Sequence, residues 1–245
     1  MWLIFRSGEV IQRCLSCCIF KQSLTMRRIL TSPLLAVVII ALPFIYLGIQ
    51  YAGLPETVPV HFNAEGIADK FGAKSSLWLH TSIISTVALG TYLLISNLHK
   101  IDPKKTAKTS AATLYGLAIV ILLFLTVINI TITYSAVNYP SKFGITTIVL
   151  PAVGLLLAFL GYQMRTIEPN YFIGLRLPWT LEDDANWKAT HQLAAKLWIP
   201  GGLAIAVAGF SLPFFSAFIT TMIITAIIVI IPTVFSYRFF RKKQG

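Results

Sequence analysis

The stretch Ala111 to Tyr134, AATLYGLAIVILLFLTVINITITY, carries no Asp, Glu, Lys or Arg and is too long for a strand. About 20 apolar residues in a helix cross a hydrocarbon layer of about 30 Å, and irregular chain is too costly there because its backbone groups stay unpaired. The stretch therefore reads as a transmembrane helix. Five further segments pass the same test: Leu30 to Tyr51, Leu77 to Leu98, Gly144 to Met164, Leu193 to Leu212 and Phe214 to Tyr237. With 56% hydrophobic and only 12% charged residues in 245, the chain has no room for a separate soluble domain. The expected fold is an all-α membrane protein with six transmembrane helices, a small ordered outer loop and an amphipathic loop-helix on the other side.

The net charge of +11 raises nucleic acid as a partner, so the placement of the cations decides. With both termini in the cytoplasm, 17 Lys and Arg fall inside and 3 (Lys70, Lys74 and Lys142) outside. The positive-inside bias accounts for the excess, and the implied partner is the lipid bilayer with its anionic headgroups rather than nucleic acid. Cys14, Cys17 and Cys18 read as free thiols on the cytoplasmic side. Residues 1–25 read as an extension ahead of a natural start at Met26-Arg27-Arg28, the alternative being an interfacial segment led by Trp2 to Phe5. Residues 26–110 then hold two spans and an outer loop, and residues 111–245 hold four spans and an inner loop.

Within the spans, Pro43, Pro151, Pro200 and Pro232 remove backbone hydrogen bonds and predict kinks. Gly154 with Ala158, and Gly202 with Ala206, place small residues four apart, so neighbouring helices are expected to approach closely there. Asn129 is expected to hydrogen-bond to another helix. No span carries an acid or base near the bilayer centre, which lowers the expectation of an ion-coupled carrier.

In the outer loop, Leu54 to Asn63 (LPETVPVHFN) begins extended, because Pro55 and Pro59 fix φ and bias their predecessors away from helix. Asn63 to Gly66 and Asp69 to Gly72 read as two turns. We favour a structural reading in which His61 and Asn63 bond loop backbone and Asp69 pairs with Lys74, over a metal site made of His61, Glu65 and Asp69. No cofactor is expected.

The inner loop runs from Glu168 through Asn170, Gly174, Arg176, Pro178, Trp179 and Thr180, with Tyr171 and Trp179 expected as interfacial anchors. Thr180, three residues before Asp183, reads as the cap of a helix that continues into the fifth span. Trp187, His191, Ala194 and Trp198 share one face of that helix. Arg176 is expected to reach Asp183 or Asp184, and His191 to lean on Trp187.

Two motifs carry a resemblance. Pro55-x-x-Val58-Pro59-x-His61-Phe62-Asn63, followed by Gly66, Asp69, Gly72 and Lys74, resembles an extracytoplasmic domain of unknown function found in bacterial membrane proteins. Asn170 to Gly174, Arg176, Pro178-Trp179-Thr180, Trp187 and Thr190-His191 resemble the hallmark of the SdpI family. The resemblance implies a multi-pass protein of the bacterial plasma membrane that gives immunity to a secreted toxin and holds a cytoplasmic repressor at the membrane. It makes His61, Asn63, Asp69, Lys74, Asn170, Gly174, Arg176, Pro178, Trp179, Thr180, Trp187 and His191 candidates for ligand or partner binding.

An enzyme needs a nucleophile, base or metal gathered on one side, and each loop offers a single histidine, so no catalytic role is expected. The alternative function is a transporter or exporter of a peptide or lipid-like substrate. Oligomeric state is not legible in the sequence.

Overall fold

The computed structural model describes residues 33–63, 67–101, 103–106, 109–140, 144–170 and 173–244. The thiols at Cys14, Cys17 and Cys18, the start at Met26, the beginning of the first span, Glu65, Lys142 and Tyr171 lie outside the described residues. The described elements are α1 (Pro33–Tyr51), β1 (Thr57–Phe62), β2 (Ala68–Ala73), α2 (Ser76–Ser96), α3 (Leu98–Ile101), α4 (Pro103–Thr106), α5 (Ala111–Val137), α6 (Ile145–Gln163), α7 (Pro178–Leu181), α8 (Asp184–Ser211) and α9 (Phe214–Gln244).

Five of these, α1, α2, α5, α8 and α9, are long and apolar enough to cross a membrane, and α6 is a shorter apolar helix. Their outward faces are apolar: Leu34, Ile49, Val207, Phe210 and Phe215 are each more than 60% exposed. A soluble surface avoids contiguous patches of this kind. The chain is a multi-pass, mostly helical membrane protein.

The helices form two groups. In the first, α5 packs against α2 and α1. Asn129, buried in the middle of α5, donates from Nδ2 to the Thr81 carbonyl (3.2 Å) and to Ser85 Oγ (3.1 Å) on α2. A polar side chain in hydrocarbon needs such partners, so Asn129 ties α5 to α2 as its position suggested.

In the second group, α6 and α8 are the most extensively packed pair in the molecule, and α9 lies against α8. A Cβ added to Gly154 would lie 2.5 Å from the Ala206 nitrogen and from the Gly202 carbonyl oxygen. One added to Gly202 would lie 2.5 Å from the Ala158 nitrogen and from the Gly154 carbonyl oxygen. The two backbones are thus in direct contact, which only glycine permits. Gly161 against Trp198 and Gly209 against Pro151 extend the same seam in both directions. Trp198 then donates from Nε1 to the Ile228 carbonyl (2.8 Å), joining α8 to α9.

One expectation needs correction, and three findings extend the rest. The segment Asp69 to Gly72, read as a turn, is part of β2, so the outer loop is a β-hairpin on an otherwise helical fold. The loop-helix and the fifth span are one continuous α8, as the sequence reading expected. Pro43, Pro151, Pro200 and Pro232 all lie inside helices that continue through them. Ser135 in α5, not singled out by its sequence, accepts from the Ile145 amide (2.9 Å) at the start of α6, and Gly144 makes room for it.

The seam generates the first prediction. Gly202→Leu and Gly154→Val each force the α6 and α8 backbones apart, at a cost of about 1–3 kcal/mol or more. Gly90→Ala serves as the control, since an added Cβ there meets nothing within 4 Å. Unfolding by denaturing detergent should show both seam variants destabilised and the control unchanged; seam variants matching the parent would contradict the packing.

Candidate functional site

The candidate residues fall into two groups, one beside the hairpin and one in the loop between α6 and α8. The hairpin follows from sequence chemistry. Pro55 and Pro59 favour extended backbone before and within β1, and Val58 is fully buried beneath it with Leu47, Leu54, Leu77 and Ala136. This apolar floor fixes the hairpin to the ends of α1, α2 and α5.

The antiparallel register pairs Thr57 with Ala73, Val58 with Gly72, Pro59 with Phe71, His61 with Lys70 and Phe62 with Ala68. Two shifts in that register leave Val60 and Asp69 unopposed, as β-bulges do. The second bulge brings the Asp69 carboxylate to His61 Nδ1, at 2.5 Å. Asp69 therefore pairs with His61 and not with Lys74. Lys74 closes the base of the hairpin instead: its amide donates to the Glu56 carbonyl (2.9 Å), its Nζ reaches Glu56 Oε1 (3.0 Å), and the ammonium lies 5.3 Å from the Tyr51 ring centroid.

Asn63 accepts from the Ile67 amide at Oδ1 (2.9 Å), the turn role its sequence suggested. His61 bonds a side chain rather than loop backbone. On the outward face Phe62 and Phe71 both meet Tyr139, with ring centroids 6.3 and 5.9 Å away. Phe71 and Ile67 are more than half exposed.

The other group is a closed hydrogen-bonded loop. Asn170, nearly fully buried, accepts from the Ile173 amide at Oδ1 (2.7 Å) and donates from Nδ2 to the Glu168 carbonyl (2.9 Å). Gly174 then takes φ 112°, a conformation that glycine alone adopts without strain. A Cβ there would also collide with His191 Nε2.

The turn aims the Leu175 amide at His191 Nε2 (2.9 Å), while His191 Nδ1 lies 2.8 Å from the Trp187 carbonyl one turn back. An amide can only donate and a carbonyl can only accept. The imidazole is therefore the neutral tautomer with its proton on Nδ1. Its ring stacks on Trp187 with centroids 4.0 Å apart, and Trp187 Nε1 donates to the Ile167 carbonyl (3.0 Å).

Thr180, wholly buried, accepts from the Leu177 amide (3.0 Å) and shares its proton between the Leu175 and Leu177 carbonyls (both 2.9 Å). It closes α7 and does not cap α8. That cap is Asp183, which accepts from the Ala185 amide (3.0 Å).

Asp183 also takes Lys243 Nζ from the end of α9, at 2.7 Å. The Lys243 hydrogen bond holds its carboxyl below the ordinary carboxylate range. Asp183 thus has its partner on α9, which reaches farther past the apolar region than its sequence indicated. Arg176 and Pro178 are exposed.

Trp179, expected as an interfacial anchor, is half-buried against α9. Its Nε1 donates to Ser236 Oγ (2.9 Å), and its ring meets Tyr237 and Phe240. Asn186, which the sequence did not single out, donates to the Ser236 carbonyl (3.0 Å) and accepts from Thr190 Oγ1 (2.9 Å) at its own Oδ1. Four-residue spacing of Asn186 and Thr190 on a helix with a buried Trp187 was the only signal that could have found them.

Both nitrogens of His191 are engaged in structural bonds. Among the described residues no three His, Cys, Asp or Glu side chains gather as a metal site. Asn170 and Thr180 tie the loop to itself, Trp187 and His191 pin it to α8, and Trp179 pins it to α9.

These residues lie within the part of the chain, 166–236, that matches the model of the SdpI/YfhL protein family. Over that part the chain is similar to the SdpI/YfhL family. Residues 38–84, which include the hairpin, match a domain of unknown function, DUF1648. Over 214 residues the chain is 29% identical to the immunity protein SdpI of Bacillus subtilis strain 168, covering 86% of this chain and 97% of the relative. An uncharacterized protein of Archaeoglobus fulgidus is 39% identical over 64 residues, 26% of this chain and 34% of that one. No solved structure matches. Its apolar helices and its similarity to SdpI make the chain a multi-pass protein of the bacterial membrane.

Two predictions follow from the geometry. His191→Phe keeps the ring on Trp187 but leaves the Leu175 amide without its acceptor, which should cost about 1–3 kcal/mol. Detergent-induced unfolding of parent and variant measures the difference, and equal stability would show that the bond is not made.

At the hairpin, the hydrogen bond from His61 holds the Asp69 carboxyl below its ordinary pKa of 3.8. A depressed carboxylate contributes stability that is present above the unfolded value and is lost as pH falls through the folded one. The Asp69 contribution to the hairpin should thus fade only below about pH 4. A carbon-13 NMR titration of Asp69 should show a lowered midpoint in the parent and an ordinary one in His61→Ala.

Proposed function

We propose that this chain protects the cell that carries it against a secreted toxin or other envelope-active peptide. The observation that carries this reading is its similarity to the immunity protein SdpI along nearly the whole of both chains. The charge asymmetry supports an orientation with both termini in the cytoplasm and the hairpin outside. In that orientation the exposed aromatic face of Phe71 and Tyr139 is the surface that meets the peptide. Aromatic side chains contribute large contact area at low entropic cost.

The opposite end supports a second half of the reading, a relay to a cytoplasmic regulator. Arg176 and Pro178 stand exposed on a loop held rigid by His191 and Thr180, an arrangement suited to presenting a fixed surface. A relay requires two packings of the helices that the outer and inner ligands favour differently. No catalytic step enters this reading, since both histidines of the motifs are engaged by neighbouring groups.

An exporter is supported by one feature, an apolar cavity of about 410 Å3 lined by Val120, Phe124, Ile148, Pro151, Leu155 and Phe210 among others. Flux of a labelled peptide or lipid in proteoliposomes separates that reading from immunity.

Expression of the chain in a sensitive bacterium should raise survival against at least one member of a panel of envelope-active peptides. Phe71→Glu with Tyr139→Ser should abolish the gain while the protein still accumulates folded in the membrane. Unchanged sensitivity across the whole panel would refute the immunity reading.

A further inference from the structure

Where the α6–α8 seam opens toward the loop lies a second cavity, of about 440 Å3, lined by Arg165, Gln192, Ala195, Lys196 and Ile199. Gln192, Lys196 and Ile199 follow one another at spacings of four and three on α8, so they share a face. Arg165 stands two residues beyond the end of α6, its guanidinium 5.8 Å from the Tyr162 ring centroid. Gly161, one turn earlier, is in contact with Trp198.

The charges in this cavity are one-sided. Neither Arg165 nor Lys196 takes a carboxylate partner among the described residues, although Glu56 and Asp183 each have a lysine. Two cations facing one concavity repel each other, and an anion between them removes that repulsion. The wall is also graded. Arg165, Gln192 and Lys196 supply donors and no obligatory acceptor except the Gln192 amide oxygen, while Ile199 lies one turn deeper toward the apolar part of α8.

We propose that this cavity binds a phosphate group, with Arg165 and Lys196 as its counter-charges and Gln192 as a further donor. The chemistry is shared by free phosphate and by anionic phospholipids. The adjoining Ile199 and the membrane-spanning run of α8 make a phospholipid, with its acyl chain along the outside of the seam, the favoured source. Basic pockets between transmembrane helices hold anionic headgroups in this way. The site is independent of the immunity reading and of any toxin.

Native mass spectrometry of the full-length protein from detergent provides the test, with phosphatidylglycerol and phosphatidylcholine as probes and inorganic phosphate as competitor. Phosphatidylglycerol should be retained in preference to phosphatidylcholine. Arg165→Gln with Lys196→Gln should weaken that retention roughly fivefold for each cation removed. Lys100→Gln with Lys188→Gln, which removes two exposed cations outside the cavity, should leave it unchanged.

Monodisperse elution and unchanged helicity establish that the variants fold, and Lys196→Gln alone replaces the double variant if that one does not. Equal retention of the two lipids, or an equal loss in the control pair, would overturn the proposal. Inorganic phosphate binding that depends on Arg165 and Lys196, with no advantage for phosphatidylglycerol, would uphold the phosphate site and overturn the lipid as its source.

Discussion

Backbone contact between α6 and α8 is the constraint from which the second half of the molecule follows. In hydrocarbon no hydrophobic effect drives apolar helices together, so close packing must supply the attraction. Gly154 and Gly202 remove the side chains that would separate the helices, and Ala158 and Ala206 keep the neighbouring turns narrow. The loop that joins the helices must then cross a short gap at their ends. Its path is fixed by two bonds to α8, Ile167 to Trp187 and Leu175 to His191, and by Thr180 turning back onto the loop carbonyls. The seam and the loop are thus one construction, and α9 joins it through Trp198, Ser236 and Lys243.

The hairpin end is built differently. Its rigidity comes from an apolar floor beneath Val58 and from short-range polar pairs, Asp69 with His61 and Lys74 with Glu56. These pairs are exposed to solvent on at least one side, and such interactions contribute little to global stability. Their effect is local: they fix the bulged strand geometry that presents Phe62 and Phe71 to Tyr139. One end of the protein therefore consists of buried, mutually satisfied polar groups, and the other of an exposed aromatic surface on a small scaffold. That contrast separates a small scaffold with an exposed aromatic face from a loop whose polar groups satisfy one another.

Much of this was legible in sequence because the governing rules are local. Runs without charge gave the helices, small residues four apart gave the seam, a lone Asn129 in a span gave an interhelical bond, and the Trp187 and His191 spacing gave a stacked pair. The failures share a cause. Asp69 and Lys74 exchanged partners because a β-bulge shifts which side chains face each other, and a bulge has no sequence signature in a short loop. Thr180 resembles a helix cap by spacing, but α8 begins after Asp183, and the hydroxyl turns back to the loop. Trp179 and Asp183 found partners on α9 because helix length beyond the apolar run depends on tertiary contacts that no window of sequence contains.

The central claim is that the bonds of the inner motif lock its loop onto the α6–α8 seam. Amide hydrogen exchange of the full-length protein in lipid nanodiscs tests it at a single position, Leu175. Protection of that amide as strong as within α8, lost in His191→Ala, is the result required by the lock. Exchange at the rate of an unstructured loop in the parent protein would contradict it.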